Sequence, residues 1–71
     1  MPVTAVGGVP SEILSQLTSE LAPLFTLADV LGWARRATPP RHVAEIVTQD
    51  EYTHDIVVPW DGSHHLVFDA T

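Results

Sequence analysis

The Pro39-Pro40 pair divides this chain into two halves of different texture. A helix cannot run through it, because each proline lacks a backbone donor and clashes with the preceding turn. Before the pair, apolar residues recur at helical spacing. Ile13, Leu14, Leu17, Leu21 and Leu24 form one stripe, and Leu27, Val30, Leu31 and Ala34 form a second. After the pair come three β-branched and aromatic runs, separated by polar turns of hairpin length. The pattern predicts an α+β fold, with two amino-terminal helices packed on one face of a three-stranded antiparallel meander.

The boundaries follow from local signals. Residues 1–10 hold two Gly and two Pro and read as a flexible arm, within which Val3 to Val6 can pair as a short edge strand. The single domain then covers residues 11–71. Its first helix spans about 11–22: Ser11 can accept from first-turn N–H groups, and Pro23 ends it. The second spans about 27–37, with Thr26 and Asp29 as a capping box and Arg35 and Arg36 at the negative end of the dipole. Gly32 costs about 1 kcal/mol against Ala in mid-helix and suggests the close approach of another element beside Trp33. The strands span about 42–48, 52–58 and 64–70.

Side-chain parity sets the expected register. A three-residue loop at Trp60-Asp61-Gly62 pairs Val58 with His64, Ile56 with Leu66 and His54 with Phe68, keeping the large apolar residues together. By the same reasoning, Gln49, Asp50 and Glu51 form the first loop. Ala44, Ile46, Tyr52, His54, Ile56, Val58, Leu66, Phe68 and Ala70 then share the core face.

The odd-numbered face is the candidate interaction surface. It carries Val43, Val47, Val57 and Val67 among Glu45, Asp55, His65 and Asp69. Valines ringed by charge are more than a merely solvated face requires. A chain of 71 residues also has a small core, and association is a common way to add burial.

Charge narrows the partners. Three Arg, no Lys and nine acids give a formal charge of −6, and six of the acids lie after residue 41. That balance opposes binding to nucleic acid and to anionic membranes. A winged-helix reader fails as well, because the second helix has its cations at the carboxyl end. No apolar run is long enough to span a bilayer. The absence of Cys excludes disulfides, and MPVTAVGGVP lacks a signal-peptide pattern, so the expected location is the cytoplasm. The absence of Lys, with the Ala and Pro usage, suggests a GC-rich bacterial genome.

Chemistry-bearing constellations are weak. His42 and His64 share a row but stand two strand spacings apart, about 10 Å, too far for one metal. His64 and His65 point to opposite faces, and His54 is expected as a neutral, buried imidazole. In Tyr52-Thr53-His54-Asp55, neighbouring residues alternate faces, so His54 and Asp55 form no oriented pair. Asp55 and Asp69 lie near one another on the open face, where water limits any splitting of their titrations. Gly7-Gly8 alone is no phosphate loop. No catalytic residue, metal or cofactor is expected.

The reading that results is a small, acidic, non-enzymatic protein-interaction module. It would act as a homo-oligomer or accessory subunit through the outer face or edge of its sheet. An acidic inhibitor or antitoxin of a basic protein is the alternative within that class. A small metal- or carboxylate-dependent hydrolase is the alternative outside it.

Overall fold

The computed structural model describes residues 9–71 and the backbone of Thr4–Val6. Residues 1–3 and 7–8, which include Val3 and Gly7-Gly8, lie outside the described residues.

The capping box forms as the sequence predicts. Asp29 N–H donates to Thr26 Oγ1 (3.1 Å), and Asp29 Oδ2 accepts from the N–H groups of Thr26 (3.0 Å) and Phe25 (2.9 Å). It starts α2, Leu27–Arg36, whose buried side chains are Val30, Trp33 and Ala34. α1, Ser11–Leu21, begins differently from expectation. Ser11 is already helical. Pro10 is the capping residue, with no side-chain bond, and its carbonyl accepts from Ile13 and Leu14 N–H.

The sheet is antiparallel, in the order β1-β4-β3-β2, with β1 Thr4–Val6, β2 Glu45–Thr48, β3 His54–Asp61 and β4 His64–Ala70. Both helices pack on its even-numbered face, giving the expected α+β architecture. The sheet has four strands rather than three, because part of the expected arm pairs with β4: Thr4 with Asp69 and Val6 with Val67. Ile56, Val58, Leu66 and Phe68 are fully buried, and Trp33 meets Phe68 at 5.5 Å between ring centroids. Thr71 holds the interhelical loop to the end of β4: its carbonyl accepts from Leu27 N–H, and its hydroxyl donates to Phe25 O.

Both hairpin registers differ from the expected ones by two residues. In the second hairpin Val58 pairs with Leu66, Ile56 with Phe68 and His54 with Ala70. The turn is Gly62-Ser63, between Asp61 and His64, and Gly62 adopts φ +26°. Such a two-residue turn would mix the faces. A bulge between Pro59 and Asp61 adds one residue and restores the parity, which leaves the core face unchanged.

In the first hairpin Thr48 pairs with His54, so the loop covers residues 49–53. Asp50 Oδ1 organises it by accepting from Tyr52 N–H (2.8 Å) and Thr53 N–H (3.0 Å). Tyr52 therefore sits in the loop at 69% exposure, not in the core. Ile46 is exposed as well, because the helices cover β3 and β4 and stop short of β2, and Ala44 is exposed because a bulge at Ala44-Glu45 moves it off the core face. His54 is half-buried, with Nδ1 3.3 Å from Thr48 Oγ1. The first strand is shorter than expected and begins at Glu45. Ala44 N–H reaches Val57 O (2.8 Å) although Glu45 is the partner of Val57. Two residues thus face one, and the alternation of faces inverts before them.

Candidate functional site

The uncovered face of the sheet holds seven of the eight candidate interface residues. Val57 and Val67 are direct cross-strand partners, flanked by Glu45 opposite Val57. In the adjacent row Asp55 faces both Val47 and Asp69. His65 lies opposite Pro59 and is exposed. Val57 and Val67 are half-buried, whereas Glu45, Val47 and Asp69 are exposed. Val43 is the exception. The inverted alternation before Glu45 turns it inward, where it packs against the core.

The electrostatics of this face are one-sided. Asp55 and Asp69 are opposite one another, an arrangement of like charges that costs stability. Gln49 Nε2 donates to Asp55 Oδ2 at 2.8 Å and partly offsets it. Asp50, in the loop beside them, is held ionised below the usual Asp range, chiefly by Tyr52 N–H and then by Thr53.

Among the described residues, no strand or helix covers the outer edge of β2. All four of its residues are exposed. Of the exposed large apolar residues among the described residues, Ile46 (44%), Val47 (39%) and Tyr52 (69%) belong to this strand and its loop, and only Phe25 lies elsewhere. Gln49 N–H donates to Thr53 O, so the ladder directs alternate groups at β3 and leaves the N–H and C=O of Ile46 and Thr48 pointing outward.

A second feature has no counterpart in the sequence reading. A cleft of about 270 Å³ opens at the carboxyl end of α2, between Trp33, Trp60, Arg36, Arg41, Thr38 and Glu20. Arg41 is fixed at three points. Its N–H donates to Ala34 O (2.8 Å), its Nη1 donates to Trp60 O (2.7 Å), and its guanidinium lies 4.0 Å from the centre of the Trp60 ring. Arg36 folds back over Gly32, where an added Cβ would come within 2.9 Å of its Nη1. The close neighbour that Gly32 accommodates is this arginine side chain, not another element. The available signal was Trp60, a large aromatic residue in an expected turn.

Among the described residues, the one carboxylate partnered within 4.0 Å by a basic side chain is Asp61, with His64 Nδ1 at 2.6 Å. No group of three or more His, Asp and Glu side chains among them could hold a metal ion. None of their helices is long and apolar enough to cross a membrane. No family model, curated protein or solved structure matches the chain.

Proposed function

We propose that the protein is a non-enzymatic interaction module whose working form is a homodimer joined edge to edge through β2. The observation that carries this is the open β2 edge with its exposed Ile46, Val47 and Tyr52. Edge strands in monomers are usually protected by Lys, Pro, a bulge within the strand or a covering element. The EIVT segment of β2 has no Lys or Pro, its bulge lies only at the Glu45 end, and the helices stop short of it.

The second copy is the occupant because the strand complements itself. Antiparallel pairing about Val47 sets Val47 against Val47 of the other copy, Ile46 against Thr48, and Glu45 against Gln49. No like charges oppose. Ile46 and Thr48 supply the outward backbone groups, and the register preserves parity, so the two valine-bearing faces join into one surface. A basic protein is the second partner this surface suits, given Glu45, Asp55 and Asp69 around Val57 and Val67.

Light scattering across the micromolar range tests the dimer. The native chain is expected to double its monomer mass as concentration rises. Ile46→Lys and Thr48→Pro should remain monomeric with unchanged far-ultraviolet circular dichroism. A native chain that stays monomeric at high micromolar concentration overturns the proposal.

A further inference from the structure

We propose that the cleft at the carboxyl end of α2 binds a small planar organic monoanion, a carboxylate carried on an aromatic ring. The argument begins with the distribution of charge. The chain has nine acidic residues and three Arg, so each guanidinium has carboxylates available in excess. Yet among the described residues no Arg lies within 4.0 Å of a carboxylate. Two of the three line this one cleft.

Arg41 is preorganised for the role. The Ala34 carbonyl fixes its backbone, and the Trp60 carbonyl and ring fix its guanidinium. One of its five side-chain N–H donors is used by Trp60 O, and the others have no carboxylate partner among the described residues. A guanidinium held in place loses little freedom when it takes up a planar acid, and its fork matches two carboxylate oxygens. Stacking on an indole also reduces its hydration without neutralising it.

The other lining groups narrow the ligand. Two Arg against Glu20 leave the lining with one net positive charge, which suits a monoanion better than a phosphate dianion. Half-buried Trp60, with Arg41 over its ring, and the small exposed part of Trp33 give the cleft an aromatic wall for a flat body. Thr38 adds a hydroxyl. At about 270 Å³ the cleft lies below the range typical of drug-sized ligands, so a single-ring acid is the fitting size. Nothing in this site involves β2, and the inference stands apart from the dimer.

The test is a titration of the full chain with benzoate at constant ionic strength, read on the indole N–H signals of Trp33 and Trp60 by NMR. Saturable shifts of both signals are expected. Arg41→Lys keeps the charge and loses the fork, and should weaken binding about tenfold. Arg36→Gln, at an exposed position, should weaken it several-fold with the amide spectrum still dispersed. Benzamide and inorganic phosphate serve as comparison probes. Three results overturn the proposal: no saturable shift with benzoate, benzamide binding as tightly as benzoate, or phosphate doing so. Native-like affinity in both arginine variants overturns it as well.

Discussion

Gly32→Ala opposes two effects that can be separated. In a helix interior Ala is favoured over Gly by about 1 kcal/mol. For a domain of this size that corresponds to a rise in Tm of roughly 4–8 °C. Against it stands Arg36, whose Nη1 lies 2.9 Å from where the new Cβ would be. The nearest atom is the tip of an exposed, flexible side chain, so the arginine can swing away. Doing so gives up its attraction to Asp29, a surface interaction of small weight. The net expectation is stabilisation by about 0.5–1 kcal/mol. Arg36→Ala removes the obstacle, and in that background Gly32→Ala should deliver the full gain. The difference between backgrounds measures what holds Arg36 over Gly32. Thermal unfolding followed by circular dichroism, at matched protein concentration, gives all four values. Destabilisation by Gly32→Ala in both backgrounds would refute the reasoning, because the cost could not then come from the arginine.

Two further outcomes follow from the core and the turns. Phe68→Ala, at a fully buried ring 5.5 Å from Trp33, should cost about 3–5 kcal/mol. A chain of this length has roughly 4–11 kcal/mol in all, so urea unfolding should find the variant close to its limit; a loss under about 2 kcal/mol would contradict the placement of Phe68. Asp29 is held below the usual Asp range by Phe25 N–H, then by Thr26 N–H, and Asp50 by Tyr52 N–H, then by Thr53. A carboxylate with a depressed folded pKa contributes fully above its unfolded value and loses that contribution as pH falls through the lowered one. Stability should therefore decline from about pH 4 downwards, and more shallowly in the Asp29→Asn, Asp50→Asn double variant; identical slopes in urea titrations would remove these caps from the account.

The sequence showed the order of elements and the buried face because both rest on local periodicity. The Thr26–Asp29 box and the run from His64 to Ala70 needed no tertiary information. Both registers went astray at polar turns. Asp50 captures two backbone N–H groups and lengthens one loop, while the bulge at Trp60 shortens the other. Parity survived because each error was two residues, the period of the strand. The bulge at Ala44 and Glu45 carried no such protection, and it moved Val43 to the other side. The exposure of Ile46 depends on how far the helices reach, which no strand pattern encodes. The arginine cleft brings together α2, the following segment and β3, contacts that arise only on folding.

The short reach of the helices also bears on motion. Among the described residues, β2 is bonded to β3 alone, and no helix covers it. Segments with few buried contacts open locally at free energies well below that of global unfolding. Amides of β2 that bond to β3, such as Val47, should therefore exchange with solvent sooner than those of Ile56 and Phe68. The outward amides of Ile46 and Thr48 should exchange fastest of all in a monomer. Their slowing with rising concentration would place a partner's backbone against that edge, residue by residue. A strand that frays by itself can also accept another chain without disturbing the core beneath α2.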